Sequence, residues 1–118
     1  MRTLSIYAAI LFSIFPLNSF AQTDVKKESI KVWGNCARCK KTIETAAKNS
    51  GATYASWNEH TKIMKFSYIS SKSSAEKIQK AVAASGYDTM EFTADDNAYS
   101  KLDECCKYPR EQIKNQLK

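Results

Sequence analysis

Four short segments of the chain have the residue pattern of β-strands, in which successive side chains point to opposite faces. They cover residues 29–33, 53–57, 63–69 and 87–92. The alternation is clearest in the third segment, where Met64, Phe66 and Tyr68 share one face. In the second segment, Ala55 and Trp57 share a face. The chain is therefore predicted to form four strands.

Two further segments repeat their apolar residues at helical spacing. The first begins at Ala37 and ends before Gly51, a residue suited to the left-handed position that follows many helices. The second follows Ser74, a candidate N-cap residue, and ends at Ser85. The residues predicted to be buried on these helices are Cys39, Ile43, Ala46, Ala47, Ala75, Ile78 and Val82.

The predicted elements follow the order strand, helix, strand, strand, helix, strand. This order is that of the ferredoxin-like βαββαβ fold, an α+β sandwich with a four-stranded antiparallel sheet and two helices on one face. The domain is predicted to cover residues 29–93, and residues 94–118 are predicted to form a C-terminal helical extension and tail. One side of a short extension helix, stopped by Pro109, is predicted to contain Ala98, Leu102, Cys105 and Cys106.

The first 21 residues have the pattern of a signal peptide rather than of a folded element. Arg2 precedes an apolar run over residues 4–15, which is shorter than the roughly 20 residues needed to cross a bilayer. Small residues at Ser19 and Ala21 predict cleavage after Ala21. The pattern predicts a periplasmic or secreted protein with no transmembrane segment in its mature chain. Residues 22–28 are polar and are predicted to be a flexible lead-in.

The charge pattern bears on possible partners. The chain has 118 residues and a formal net charge of +6, and its lysines are scattered through every predicted element. Such scattering favours solubility and an acidic partner or membrane surface, and it lacks the concentrated basic stripe of a nucleic-acid site. The aromatic strand residues resemble the base-stacking face of RNA-binding ferredoxin-like domains, but the expected export and the missing RNP pattern argue against RNA.

All four cysteines lie after the predicted cleavage site, as Cys36, Cys39 and the adjacent pair Cys105 and Cys106. An even number of cysteines in an oxidising compartment is compatible with disulfides, and four thiols allow three pairings. A disulfide-stabilised domain that only binds a protein partner is therefore one hypothesis.

A different chemistry follows from the Cys-x-x-Cys spacing of Cys36 and Cys39. The two cysteines lie where a strand leads into a helix N-terminus, whose free N–H groups and dipole favour thiolate over thiol. Arg38 and Lys40 add positive charge. Thiolates select soft ions such as Cu(I) or Zn(II). Two sulfurs suit the low coordination numbers of Cu(I), whereas a closed zinc site requires two further ligands.

The same spacing also occurs in thiol–disulfide exchange proteins, in which Cys36 would attack a disulfide and Cys39 would resolve the intermediate. Thioredoxin-like folds place a cis-proline opposite the cysteine pair. After the predicted cleavage site the chain has only Pro109, which lies beyond the last predicted strand. The predicted element order also differs, so an enzyme is not the favoured interpretation.

Residues 32–44, Val-Trp-Gly-Asn-Cys-Ala-Arg-Cys-Lys-Lys-Thr-Ile-Glu, together with Ser85-Gly86-Tyr87, resemble the heavy-metal-associated domain. This family includes small copper chaperones, metal-ATPase N-terminal domains and the periplasmic mercury-binding protein. The resemblance covers about residues 29–93. It implies that Cys36 and Cys39 bind the metal, that Ile43 is a core residue of the first helix, and that Tyr87 lies near the metal loop.

The chain departs from the family pattern in one place. The usual loop is Gly-Met-x-Cys-x-x-Cys, whereas here Gly34-Asn35 leads directly to Cys36, one residue shorter and without methionine. In the family that methionine packs beneath the loop. The departure changes the expected packing and metal preference but leaves both cysteine ligands in place.

Cys105 and Cys106 admit two interpretations. One of them could fold back toward Cys36 and Cys39 as a third sulfur, giving a trigonal Cu(I) or a Zn(II) site. Alternatively, one packs in a small core while the other is exposed or disulfide-bonded, which is preferred because buried cysteine is common. Adjacent helical side chains diverge by about 100 degrees, so both are not expected to face one ion.

The function favoured by the sequence is that of an exported soft-metal-ion binding protein. It would bind Cu(I), with Zn(II) or another thiophilic ion as the alternative, and act as a metal chaperone or buffer. Its expected partner is a metal transporter or another metallochaperone, with lysines around the loop steering an acidic partner surface.

Overall fold

The computed structural model describes residues 24–110. Its three-stranded antiparallel sheet consists of β1 (Val25–Lys31), β2 (Ala52–Trp57) and β3 (Ile63–Ile69), with β3 between β1 and β2. The register places Phe66 of β3 opposite Glu28 of β1 and Ala55 of β2. The predicted third strand is confirmed to the residue, and the predicted second strand begins one residue earlier.

The first strand differs from its prediction, because β1 ends at Lys31 and begins within the segment expected to be a flexible lead-in. Val25 pairs with Ile69, and the carboxylate of Glu28 accepts a hydrogen bond of 2.6 Å from the hydroxyl of Tyr68. The side chains of residues 25–29 are exposed on both faces. They therefore carry no alternation, which is why the sequence pattern missed this part of the strand.

Helices α1 (Ala37–Asn49) and α2 (Ala75–Ala84) pack on the sheet and on each other. The predicted buried stripes are confirmed for the most part. Fully buried residues are Cys39, Ile43, Ala47, Ile78 and Val82, while Ala46 and Ala75 are half-buried. These residues face Met64, Phe66 and Trp57 of the sheet in one core.

The helix ends follow their predicted chemistry. Gly51 has a φ of +115°, and the hydroxyl of Ser74 accepts a 3.1 Å hydrogen bond from the backbone N–H of Lys77. Helix α1 ends two residues before Gly51, and helix α2 begins directly after Ser74. Local residue chemistry thus fixes where both helices lie along the chain.

The predicted fourth strand is wrong as an extended ladder within the described residues. The chain makes a single antiparallel bridge there, between Val32 and Thr89, beside β1 where the fourth strand of the fold would lie. Thr89 then turns back on itself, since its backbone N–H donates to the carbonyl of Phe92 and its hydroxyl accepts from the Phe92 N–H. The groups that would extend the ladder are thereby used within the turn.

The predicted single helix of the C-terminal extension is also wrong. The chain forms a short helix α3 (Asp96–Ser100) and, after a break, a 3-10 helix over Glu104–Cys106. Asp95, which caps α3, and Asp103, which precedes the 3-10 helix, both have extended backbone angles, so a second helical segment starts after Asp103 instead of continuing α3. The carboxylate of Asp103 pairs with Arg38 at 2.9 Å, which holds this break against the start of α1.

Arg110 attaches the extension to the domain. Its guanidinium donates two hydrogen bonds to the buried carboxylate of Asp88, at 3.0 and 3.1 Å, and further ones to Asp96 and to the carbonyl of Ala94. It also lies 4.8 Å above the ring of Tyr99. A paired and hydrogen-bonded buried charge of this kind fixes geometry, because removing either partner leaves the other uncompensated.

Tyr108 is the second attachment and is almost fully buried. Its hydroxyl donates to the carbonyl of Gly86 at 3.0 Å and accepts from the backbone N–H of Asp88 at 2.7 Å. The ring stacks on Tyr87 with centroids 6.1 Å apart. The extension is therefore part of the folded unit rather than a loose tail over these residues.

None of the helices in residues 24–110 has both the length and the apolar character needed to cross a membrane. The predicted signal peptide, its cleavage after Ala21 and the end of the tail lie outside the described residues.

Replacing Tyr108 by Phe should lower the free energy of unfolding by about 1–3 kcal/mol, because it leaves two buried backbone groups without a partner. Chemical denaturation of the reduced protein measures this change. The matched control is Tyr54→Phe, since Tyr54 is 55% exposed and should change stability by less than about 0.5 kcal/mol. Equal stability of the two variants would contradict the proposed attachment.

Candidate metal centre

Three cysteine sulfurs meet at the N-terminal end of α1. The sulfurs of Cys36, Cys39 and Cys106 all lie within 4.8 Å of one another. Cys36 and Cys39 are 3.8 Å apart, and all four cysteines of the chain are free thiols. Cys36 precedes α1 as its N-cap residue, Cys39 lies in the first turn of α1, and Cys106 comes from the C-terminal extension.

Cys36 is the N-cap residue of α1, with extended backbone angles. The backbone N–H of Cys39 is the main cause that lowers the pKa of the Cys36 thiol from its ordinary 9.0 to about 7, against an opposing effect of burial. The N–H of Arg38 and the thiols of Cys39 and Cys105 lower this pKa further. Cys36 is therefore substantially thiolate at neutral pH, the form that binds metals.

Cys39 lies one turn into α1 and has no exposed surface. The backbone N–H of Asn35 donates to its sulfur at 3.5 Å. The indole of Trp57 fills the space beneath the loop, so that a Cβ added to Gly34 would come within 3.1 Å of that ring. Trp57 is itself fixed by a 2.8 Å hydrogen bond from its indole N–H to the carbonyl of Val32.

Cys106 is 3% exposed and reaches the site from the 3-10 helix of the extension. Burial is the main cause that raises the pKa of its thiol to about 12, and the neighbouring Cys39 adds to the effect. The hydroxyl of Tyr87 acts in the opposite direction by donating to this sulfur. The pKa of Tyr87 is raised, first by burial and then by its hydrogen bonds with Cys106 and Cys39, so the hydroxyl stays protonated as a donor.

Direct contacts hold the extension against the metal loop. The side-chain amide of Asn35 donates to the carbonyl of Lys107 at 3.0 Å, and Arg38 pairs with Asp103 at 2.9 Å. The thiol of Cys36 lies 3.6 Å from the carbonyl oxygen of Cys105. Cys106 is thus placed by contacts on both sides of the loop, in addition to the attachments at Tyr108 and Arg110.

The spacing of the three sulfurs fits a shared soft ion. A metal about 2.3 Å from each of three sulfurs in a plane would hold them about 4.0 Å apart. The observed 3.8 Å pair and the 4.8 Å limit on the other separations are close to this value. The arrangement can therefore accept a three-coordinate thiophilic ion with small side-chain adjustments.

The structure brings together Cys36, Cys39 and one cysteine of the C-terminal pair. Cys105 is exposed, and Cys106 is both buried and turned toward the other two sulfurs, so the two interpretations of this pair each describe part of the arrangement. Tyr87 lies beside the sulfurs, as the family resemblance implies.

Sequence reasoning missed the contributions of Trp57 and Asn35. The strand pattern places Trp57 on one face with Ala55, and nothing in that pattern indicates that its ring lies beneath a loop more than twenty residues earlier. Asn35 differs from the family loop, and that departure was the only available signal of a new contact. The structure shows that this contact is with the C-terminal extension.

The lowered pKa of Cys36 predicts a distinct reactivity profile. In the reduced protein the rate of Cys36 alkylation should rise through a midpoint near pH 7, because only the thiolate reacts. Peptide mapping by mass spectrometry measures this rate separately, since Cys36 and Cys39 fall on different sides of Arg38 in a tryptic digest. A midpoint near the ordinary thiol pKa of 9.0 would contradict the assignment.

Several solved structures share this fold. The CopZ metallochaperone is similar with a TM-score of 0.52 and 30% identity, over 55% of this chain and 100% of that one. The water-soluble region of the P-type ATPase CopA from Bacillus subtilis has a TM-score of 0.53 and 28% identity, over 57% of this chain and 46% of that one. Oxidised MerP from Ralstonia metallidurans CH34 shares the fold with a TM-score of 0.52 and 24% identity, over 55% and 93% of the two chains.

No family model and no curated protein sequence matches the chain. The similarity to CopZ nevertheless extends over the whole of that protein at 30% identity. The chain therefore belongs to the heavy-metal-associated domain family.

Proposed function

We propose that this protein binds a single soft metal ion through Cys36, Cys39 and Cys106 and serves as a metal chaperone or buffer. The observation that carries the proposal is the convergence of three free sulfurs within 4.8 Å of one another. Thiolates in this arrangement select thiophilic ions over hard cations such as Mg²⁺ or Ca²⁺.

Cu(I) is the ion that the sulfur set favours. It accepts two or three thiolates, whereas a closed structural zinc site requires four ligands. Within residues 24–110, the cluster close enough to share an ion has three members, all of them cysteines. Zn(II) or another thiophilic ion would need a ligand from outside this cluster, such as water or a partner's side chain.

The role of chaperone or buffer rests on the related structures. One similar protein is a metallochaperone and another is the soluble region of a P-type ATPase. A metal transporter or a second metallochaperone is therefore the proposed partner. Arg38 and Lys107 border the site, but each is paired with an acidic neighbour, Asp103 and Glu104 respectively, so an acidic partner surface would have to compete with these ion pairs.

Export remains part of the proposal. The segment expected to be a cleaved signal peptide, residues 1–21, would direct the protein to the periplasm or the exterior. Free thiols that bind metal there would have to stay reduced or metal-loaded, because unprotected thiols tend toward disulfides in oxidising compartments.

Anaerobic titration of the reduced protein with Cu(I), against a competing chelator, tests the proposed site. The protein should bind one Cu(I), and X-ray absorption should show three sulfur neighbours. The variant Cys36→Ala/Cys39→Ala should lose competitive binding. The variant Cys106→Ser should keep two sulfur neighbours and bind at least roughly tenfold more weakly, the equivalent of about 1.4 kcal/mol.

The matched control is Cys105→Ser, which alters an exposed neighbouring thiol outside the cluster and should leave the affinity near that of the parent. Two sulfur neighbours in the parent protein would remove Cys106 from the site. Failure of the parent to compete for Cu(I) at all would overturn the metal function.

Thiol–disulfide exchange is the second candidate, and the lowered pKa of Cys36 is the observation that favours it. A 3.8 Å approach of Cys39 would allow that residue to resolve a mixed disulfide. The buried Cys106 argues for metal binding, since a third sulfur beside the pair has no place in a simple two-cysteine exchange.

The two functions differ in turnover on a disulfide substrate. For a metal-binding protein we expect no catalysed reduction of insulin disulfides above the rate of an equal concentration of small-molecule thiol. The control is the Cys36→Ala variant, which should behave like the parent. Turnover that is lost in this variant would instead establish the exchange function.

A further inference from the structure

The four cysteine sulfurs differ in their access to solvent. Cys39 is fully buried and Cys106 is 3% exposed, whereas Cys36 is partly accessible and Cys105 is exposed. Trp57 and Tyr87 close the inner side of the site. Among the described residues, the accessible side of the site is the one on which Cys36 and Cys105 lie, and a partner's thiolate would approach from there.

The sulfur of Cys105 lies outside the three-sulfur cluster, next to the sulfur of Cys106. Its sulfur is 3.8 Å from that of Cys106, the same separation as between Cys36 and Cys39. A soft ion about 2.3 Å from each sulfur can bridge two sulfurs at this distance. The side chains of Cys105 and Cys106 diverge, so the Cys106 sulfur is buried and the Cys105 sulfur is at the surface. The two sulfurs are still close enough for an ion to pass from one to the other.

Two contacts keep Cys105 beside Cys36 and Arg38. The guanidinium of Arg38 interacts with Cys105 as well as with Asp103. The carbonyl oxygen of Cys105 lies 3.6 Å from the Cys36 sulfur, which joins the backbone of the extension to the accessible cysteine of the loop.

From this arrangement we propose that Cys105 is the transfer ligand of the site, the sulfur through which the ion leaves the buried cluster for an external thiolate or chelator. The proposal rests on the metal-binding function proposed above. It adds a second, outer set of ligands, made by Cys36, Cys105 and Cys106.

The transfer step exchanges one metal–sulfur bond for another. The bond from the ion to Cys39 breaks and a bond to Cys105 forms, while Cys36 and Cys106 stay bound. Cys105 loses its proton and Cys39 gains one, and copper remains Cu(I) throughout. The ion then lies at the surface, where an acceptor's thiolate can replace the protein's sulfurs one at a time.

This role predicts a kinetic effect without an equilibrium effect. Protein loaded with one Cu(I) is mixed anaerobically with an excess of bathocuproine disulfonate, and formation of the coloured complex is followed by stopped flow. Cys105→Ser should slow release roughly tenfold while the affinity stays within about twofold, because the resident ligands are unchanged. X-ray absorption should still show three sulfur neighbours.

The matched control is Glu104→Ser, an exposed neighbour in the same 3-10 helix, which should release copper at the parent rate. Release from Cys105→Ser at the parent rate would overturn the proposal. A loss of affinity as large as that of Cys106→Ser would also overturn it, because Cys105 would then be a resident ligand. If the parent protein binds no Cu(I), the metal function itself fails, which this experiment distinguishes from a failure of the transfer step.

Discussion

The candidate metal centre depends on the buried carboxylate of Asp88 and the contacts that it makes with the C-terminal extension. Asp88 lies after the second helix. Its carboxylate accepts a hydrogen bond of 2.6 Å from the backbone N–H of Ala94 and pairs with the guanidinium of Arg110 at 3.0 Å. The backbone N–H of Asp88 itself donates to the hydroxyl of Tyr108. These contacts fix the C-terminal extension on the domain and so place Cys106 over the start of α1. Without them the chain would present only the two loop cysteines.

The sulfurs of Cys36 and Cys106 differ in burial and in thiol pKa, and this difference affects the protons that a bound metal would displace. Cys36 lies at a helix N-terminus, and its thiol has a pKa near 7, whereas burial raises the pKa of Cys106 to about 12. Binding a metal at neutral pH must therefore displace a proton from Cys106, because only thiolates coordinate. Tyr87 offsets part of this cost by donating a hydrogen bond to that sulfur. The low-pKa sulfur is thus the accessible one and the high-pKa sulfur is the enclosed one.

The shortened loop is compensated by two residues from elsewhere in the chain. Trp57, at the end of β2, packs against Gly34 with its ring, so that a Cβ on Gly34 would come within 3.1 Å of it. Asn35 uses its side chain to bind the backbone of Lys107. The departure from the family loop is thus linked to the presence of the extension. Loop and extension form one site, and the bulky indole shields its inner side from water.

The sequence by itself determined the helices, two of the strands and the first two cysteines of the site. The helices and strands depend on local periodicity and on residues at helix ends such as Ser74 and Gly51. Cys36 and Cys39 are three residues apart at a helix N-terminus, and this spacing alone brings their sulfurs close together. The tertiary structure decided the rest. The start of β1 has exposed side chains and forms only because β3 offers it a partner, and the fourth strand is replaced by a turn at Thr89 that satisfies its own backbone groups. Which cysteine of the C-terminal pair faces the loop depends on contacts at Asp88, Tyr108 and Arg110, which join residues distant along the chain. Such contacts leave no periodic trace in a single sequence.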